Sequence, residues 1–243
     1  MKRRIVNLKK MDSVLRLKNL VSLIAAGFLL SACALGTDYV RLYDPLTYKP
    51  IQEEGIRVAY AEAKEIKPIL GEKIWVVIKK VDDKRPDPTR IGAKKNASGI
   101  KTGSVNVEKG VSFQEVFTKN LITCFEWAGY EVIPIKKYEE LSSQDKEKIG
   151  GLIEGEIRFF WVTFVPGFAV VDAASNVIFN VKLFEPGTDK EIWSGNFSGK
   201  GKVSGMAVTR GMYEKSINIA YAEAMRNLFT AISDEGMKKL FKK

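Results

Sequence analysis

Apolar and polar residues alternate along several stretches of the chain, and this two-residue period predicts β-strands. Residues 74–81 instead begin with a near-continuous apolar run, which predicts a central strand covered on both faces, and the clearest of the other stretches are 155–165, 176–184 and 191–198. Pro186 and Gly187 separate the last two, so these are expected to form a hairpin. Within 155–165 the aromatic residues fall on both faces of the predicted strand, with Phe159 and Trp161 on one face and Phe160 and Phe164 on the other.

A helical period follows in two places. Residues 113–125 carry apolar side chains at helical spacing, Ser112 and Glu115 have the spacing of a capping box, and Gly129 supplies a left-handed stop. A second helix is predicted over 213–232, ending at Gly236. The expected fold class is α+β, with a mixed, mostly antiparallel sheet of about five strands and two main helices packed on one face. The two strands on either side of the first helix are expected to be parallel.

The first 33 residues have a different pattern. Seven basic residues precede an apolar run of about 11 residues, and the small residues Ser31 and Ala32 follow, as in a secretory signal peptide. Cys33 comes directly after Leu30-Ser31-Ala32, which resembles a bacterial lipobox. The resemblance implies cleavage between Ala32 and Cys33 and a diacylglycerol with an N-acyl chain on Cys33. The alternative is an ordinary signal peptide followed by a chance cysteine.

This interpretation divides the chain into a removed signal peptide (1–32), an acylated tether (33–55), a single α+β periplasmic domain (56–236) and a basic tail (237–243). Translation from Met1 or from Met11 gives the same mature protein. The chain has 39 basic and 29 acidic residues, a net charge of +10. Residues 1–32 hold seven basic residues and one acidic residue, so the mature chain keeps only +4. The remaining charges are interspersed and form no basic cluster, so no nucleic-acid partner is expected.

Candidate chemistry is sparse. The chain has no histidine, which removes histidine-based acid–base catalysis and histidine-ligated metal sites. The neighbouring carboxylates Asp82 and Asp83 would point to opposite faces of a strand, so they are not a catalytic pair. We therefore expect no enzyme activity, no catalytic residue, no metal and no cofactor beyond the covalent lipid. Cys124 lies on an apolar helical stripe and is expected to be a core residue rather than a reactive thiol.

Two segments are candidates for contact with a partner. In the first, Asp83 and Arg85 follow a buried strand within a long predicted loop (82–110) that could include short edge strands such as 104–107. These two residues either brace the loop, contact a partner or bind a ligand. In the second, Phe164 and Phe168 belong to an apolar loop (164–174) that is either part of the core or an interface. The basic tail, with Leu240 and Phe241, either touches anionic lipid or is a solvated terminus.

Three features together resemble the YajG-like family of bacterial outer-membrane lipoproteins. They are the lipobox, a strand that ends in Asp83-Lys84-Arg85-Pro86 and leads to Ile91-Gly92 and Asn96-x-x-Gly99, and a capped helix that leads into Gly129-Tyr130-Glu131-Val132-Ile133 before a later hairpin. The resemblance covers about residues 74–232. It implies an outer-membrane lipoprotein that faces the periplasm and has no known catalysis. Asp83 and Arg85 match the family's aspartate–arginine pattern and are the only residues that the resemblance singles out.

The sequence thus predicts a lipid-anchored, non-catalytic interaction or adaptor module of the cell envelope, held to the membrane by its lipid and bound to an envelope protein partner. The alternative is an auxiliary lipoprotein of a transport or assembly machine that handles lipid or a hydrophobic ligand. In enterobacteria, an aspartate directly after the modified cysteine favours retention in the inner membrane. This chain has Ala34 at that position, so the expected location is the outer membrane.

Overall fold

The computed structural model describes residues 36–50, 57–59, 66–69, 73–95, 100–166, 170–188, 190–206 and 209–241. The signal peptide, Cys33 and Phe168 lie outside the described residues. None of the helices within the described ranges has an apolar stretch long enough to cross a bilayer.

The described residues form nine strands and five helices. The strands are β1 (Gly36–Val40), β2 (Arg57–Ala59), β3 (Ile74–Asp83), β4 (Arg90–Lys95), β5 (Lys101–Val107), β6 (Tyr130–Ile133), β7 (Ile149–Pro166), β8 (Val171–Phe184) and β9 (Glu191–Gly205). The helices are α1 (Phe113–Trp127), α2 (Ile135–Glu140), α3 (Ser143–Lys146), α4 (Arg210–Ile232) and α5 (Glu235–Phe241).

All nine strands belong to one sheet, and the 18-residue β7 organises it. One edge of β7 pairs with β8 from Leu152 to Pro166, and β8 in turn pairs with β9. The other edge pairs in parallel with β3 over its first half and with β4 over its second half. Strand β6 continues the sheet beyond β3, while β5 and then β1 continue it beyond β4. A bulge between Ile157 and Phe159 changes the alternation of β7 at its middle.

Helices α1 and α4 cover one face of this sheet, which we call the covered face. In β8 its residues are the odd-numbered ones from Ala173 to Leu183, all of them buried. Helix α1 begins where the Ser112 hydroxyl accepts a hydrogen bond from the Glu115 amide at 3.4 Å, and it is followed by Gly129 at φ +93°. These contacts confirm the predicted start and stop of this helix.

The long helix α4 approaches β9 so closely that only glycine fits between them. A β-carbon on Gly199 or Gly201 would lie 2.0 Å from the carbonyl oxygen of Ala220 or Ser216, respectively. The buried Ser216 hydroxyl lies 2.9 Å from the Ala173 carbonyl oxygen and 2.7 Å from the Ser175 hydroxyl. Small residues and buried hydroxyl hydrogen bonds therefore hold α4 on the sheet.

The sheet is larger and more evenly mixed than predicted. The α+β class, the two main helices on one face and the hairpin of β8 with β9 are confirmed, but nine strands replace the expected five. Four of the eight strand pairings are parallel, so the sheet is not mostly antiparallel. The missed strands are short, polar or rich in glycine, and such strands at the margin of a sheet have a weak sequence signal.

Two segments predicted as loops contain regular structure. Strands β4 and β5 lie within 82–110, where Ile91 and Val105 are buried. Strand β7 continues to Pro166 and β8 begins at Val171, so most of the segment 164–174 extends the hairpin. Strand pairing, rather than side-chain alternation, orders both segments.

The segments assigned to the tether and the tail also belong to the folded body where the structure describes them. In the first segment, β1 joins the sheet, Val40 and Leu46 are buried, and the Tyr43 amide donates to Asn218 Oδ1 at 2.8 Å. In the second, α5 buries Phe241 against the Tyr130 ring, with 4.8 Å between ring centroids. The expectation of a solvated terminus is wrong for Phe241.

Candidate functional site

The predicted lipidation and cleavage residues, Cys33 and Ala32, lie outside the described residues. The described chain begins at Gly36, the first residue of β1, only three positions after Cys33. Phe164 is described and is 8% exposed, so it belongs to the covered face. Phe168 lies outside the described residues, so its proposed partner contact stays a prediction.

Asp83 and Arg85 form a buried ion pair. Arg85 Nε donates to Asp83 Oδ1 at 2.8 Å and Arg85 Nη2 donates to Oδ2 at 2.7 Å, which is a bidentate arrangement. Their side chains are 4% and 8% exposed. The Arg85 guanidinium also lies 4.6 Å from the centroid of the Phe113 ring on α1, a cation–π contact.

The remaining donors of Arg85 hold the loop between β3 and β4. Nη1 donates to the Arg90 carbonyl oxygen at 2.9 Å, and Nη2 donates to the Pro88 carbonyl oxygen at 2.8 Å. This loop connects the end of β3 to the start of β4, and both strands pair with the same edge of β7. The arrangement is the loop brace that the sequence suggested, and any partner contact at Asp83 or Arg85 would have to be made through the residues that they hold in place.

The face of the sheet opposite α1 and α4 is open over β7, β8 and β9, and we call it the open face. It contains a shallow polar depression that is formed by side chains of the neighbouring strands β3, β7 and β8. The residues that line it are Lys80, Asp82, Glu154, Gly155, Glu156, Asn180 and Lys182.

Charges in and around this depression are paired. Lys80 Nζ lies 2.7 Å from Asp82 Oδ2, Arg158 Nε lies 2.7 Å from Glu156 Oε1, and Lys182 Nζ lies 3.0 Å from Glu191 Oε2. The hydrogen bond from Lys80 is the main reason that the pKa of Asp82 is lowered from its ordinary value. Such half-exposed pairs add little stability, so they shape the surface rather than hold the fold.

Asn180 is the most deeply buried side chain of the depression, with 4% exposure. Its amide nitrogen donates to the Gly195 carbonyl oxygen at 2.9 Å, but its Oδ1 atom has no hydrogen-bond partner among the described residues. Asn176 Oδ1, four positions away on the same face of β8, also has none within the described ranges. Buried polar atoms in native proteins normally have a partner, so the open face has hydrogen-bonding capacity to offer.

An apolar stripe lies beside this depression. Phe159 is 41% exposed and is paired across the strands with Ile178, while Trp161 is paired with Asn176. The alternation of the sequence correctly placed Phe159 and Trp161 together on one face of the strand. It did not identify Asn180, Glu154 or Glu156 as surface candidates, although the polar residues at alternate positions of β8 are a signal that could have found them.

Cys124 is fully buried in α1, with Sγ 3.7 Å from the Met225 carbonyl oxygen. Burial raises the pKa of its thiol. Since the reactive form of cysteine is the thiolate, this environment agrees with the expected core role. Among the described residues, no three Asp, Glu, Cys or His side chains are grouped so that they could hold a metal ion.

Comparison with known proteins gives distant structural similarity only. No family model and no curated protein matches the chain, so its resemblance to the YajG-like family stays a prediction. A neuraminyllactose-binding hemagglutinin homologue from Helicobacter pylori is 18% identical, with a TM-score of 0.44 over 76% of this chain and 95% of the other. Protein XCC0632 from Xanthomonas campestris is 10% identical, with a TM-score of 0.41 over 83% and 94% of the two chains. Lipoprotein GNA1162 from Neisseria meningitidis is 15% identical, with a TM-score of 0.28 over 54% and 84%.

Proposed function

We propose that this protein is a lipid-anchored, non-catalytic interaction module of the bacterial cell envelope, located at the outer membrane and facing the periplasm. The observation that carries the proposal is Cys33, placed directly after Leu30-Ser31-Ala32 and an apolar run of signal-peptide length. Two or more acyl chains hold a protein on a membrane stably, so the modified cysteine would act as a permanent anchor.

The open face supports the interaction part of the proposal. It combines an exposed aromatic ring at Phe159, charges arranged in pairs and the buried Oδ1 of Asn180, which accepts no hydrogen bond from the residues that the structure describes. Protein–protein contact surfaces typically have an apolar centre beside polar groups that can form hydrogen bonds with the partner. We therefore assign the open face, rather than the loop braced by Arg85, to the envelope protein partner.

The alternative is an auxiliary lipoprotein that handles lipid or a hydrophobic ligand. The described depression is lined by three carboxylates, two lysines and an asparagine. Sites for apolar ligands are lined mainly by apolar and aromatic side chains, with few polar groups. The composition of this depression therefore favours the adaptor over the carrier.

The anchor is tested by growing cells with labelled palmitate. We expect label in the intact protein and none in the Cys33→Ser variant, which should leave the membrane fraction or accumulate uncleaved. An intact protein that takes up no label would contradict the anchor.

The partner surface is tested by placing a photo-crosslinking amino acid at Phe159 in living cells. The matched control carries it at Lys119, an exposed residue of α1 on the other side of the molecule. We expect a discrete envelope protein crosslinked at Phe159 and absent at Lys119. Equal products at both positions, or none at Phe159, would contradict the role of the open face.

A further inference from the structure

Exposed apolar side chains gather at one end of the sheet. Ile100 precedes β5, Val170 precedes β8 and Met206 follows β9, and their exposed fractions are 63%, 44% and 89%. Large apolar residues with this exposure, which the topology brings to one end of the sheet from three separate connections, are candidates for a contact surface. We call this end the tip face and define it by Ile100, Val170, Met206, Lys95 and Lys101.

The strand register shows that Ile100, Val170 and Met206 lie at the same level along the strand direction, at one end of the sheet. Gly36 of β1 pairs with Gly103 of β5, which pairs with Lys94 of β4. Strand β7 connects this row to the other half of the sheet, where Ala173 of β8 pairs with Val203 of β9. Ile100, Val170 and Met206 each lie three positions beyond their residue of this row, toward the same end of the sheet.

Cys33 is close in sequence to the strand residue that lies at this end of the sheet. It lies three positions before Gly36, and β1 runs away from the tip face because it is parallel to β5. Three residues of extended chain span at most about 10 Å. Acyl chains on Cys33 would therefore hold Gly36, the first described residue of the sheet, within about 10 Å of the bilayer surface, and the tip face would be the nearest part of the fold that the structure describes.

The charges of the tip face suit a membrane that contains anionic lipid. Lys95 and Lys101 are exposed and lie directly opposite each other on β4 and β5. Neither has an acidic partner among the described residues. The nearby acidic residues are engaged elsewhere, since Asp38 pairs with Lys94 at 3.1 Å and Asp172 pairs with Lys202 at 2.8 Å. Basic residues around apolar tips are the composition of surfaces that dip into lipid headgroups.

We propose that the tip face rests in the headgroup region of the same bilayer that holds the acyl chains of Cys33, so that the anchor and three apolar contacts fix the orientation of the domain. This inference rests on the proposed lipid anchor. It places the β8–β9 turn at the far end of the molecule, because the 11 residue steps from Ala173 to Phe184 span about 37 Å. The long strands would then stand away from the membrane and present the open face to the periplasm.

The test uses the full acylated chain, reconstituted into vesicles of phosphatidylethanolamine and phosphatidylglycerol that carry a lipid-attached fluorescence quencher. A fluorophore is attached to a new cysteine in Met206→Cys, Val170→Cys or, as the control at the far end, Lys190→Cys. The native Cys124 is buried and is not labelled under native conditions. We expect quenching at positions 206 and 170 to exceed quenching at position 190 severalfold, since position 190 lies at the other end of strands that span about 37 Å.

Vesicle flotation separates the two possible failures. A chain that does not float with the vesicles contradicts the anchor. A chain that floats but is quenched equally at all three positions, or most strongly at position 190, overturns the orientation and leaves the anchor intact. In a second experiment, Lys95→Glu together with Lys101→Glu should reduce quenching at position 206 in vesicles with phosphatidylglycerol, whereas Lys190→Glu should not. An unchanged signal in the double variant would overturn the role of the two lysines.

Discussion

The two faces of the sheet differ most clearly at Asp82 and Asp83, which are neighbours on β3. Asp83 belongs to the covered face, where it pairs with Arg85 and both side chains are almost fully buried. Asp82 belongs to the open face, where it pairs with Lys80, whose side chain is 57% exposed. Two chemically similar ion pairs thus sit one residue apart in very different environments, because successive side chains of a strand point to opposite faces.

The difference shows how one sheet separates stability from interaction. On the covered face, removing one member of a buried pair leaves an uncompensated charge that water cannot reach. On the open face, water solvates a charge whose partner has been removed, so these residues can contribute to binding with little effect on stability. We expect substitutions on the covered face to change folding, and substitutions on the open face to change partner contact.

The largest difference is expected between two phenylalanines. Phe179 is fully buried and contacts the Phe117 ring at 5.0 Å between centroids, whereas Phe159 is 41% exposed. Phe179→Ala should lower the free energy of unfolding by about 4 kcal/mol. Phe159→Ala should lower it by less than about 1 kcal/mol. Urea denaturation followed by circular dichroism measures both, and equal losses would remove the distinction between the faces.

The two ion pairs should differ next. Arg85→Ala leaves Asp83 buried and unpaired, and we expect a loss of about 3 kcal/mol. Lys80→Ala, the matched control on the open face, should cost less than about 0.5 kcal/mol. Arg85→Lys should recover only part of the loss, since a lysine cannot reproduce the bidentate bond and the two carbonyl contacts. A full recovery would show that charge alone, and not the planar fork, holds the loop.

A smaller effect is expected in alkaline solution, and it involves the covered face. Burial raises the pKa of Tyr213 from 10.0 to about 12 and also raises the pKa values of Tyr130 and Tyr221. Because the folded pKa is above the unfolded one, the stabilisation is complete below pH 10 and is lost as the pH rises toward 12. Tyr213→Phe should therefore flatten the fall of stability above pH 10, as measured by urea denaturation at a series of pH values, and an unchanged fall in this variant would contradict the prediction.

The smallest effect is expected in acid, and it involves the open face. Hydrogen bonds from lysines lower the pKa values of Asp82 and Asp172 below 3.8. Because the folded pKa lies below the unfolded one, the stabilisation is present above about pH 4 and is lost as the pH falls through the lowered values. Asp82→Asn should make stability slightly less sensitive to pH below 4. A steeper acid response in this variant would contradict the sign of the effect.

Side-chain patterns predicted the parts of the fold whose signals are local. The cap at Ser112, the stop at Gly129 and the alternation along β7 and β8 depend on neighbouring residues, and each was found where the pattern placed it. Strand β4 was missed, and β5 was predicted only as a possible edge strand at 104–107, because Gly92, Gly103 and several lysines interrupt their alternation. Their order comes from pairing with distant strands, which no local pattern records.

The candidate surfaces divide in the same way. The sequence alone predicts the signal peptide and the modification of Cys33, and it predicted the burial of Cys124 that the structure shows, since each prediction depends on a short run of residues. Tertiary structure alone decided that Arg85 is a brace, that Asn180 lies buried in the open face and that three exposed apolar residues share one end of the sheet with the start of β1. The physical reason is that strand pairing joins residues that are distant in the sequence, such as Arg57 and Ser204, and only the register of the strands determines which residues meet.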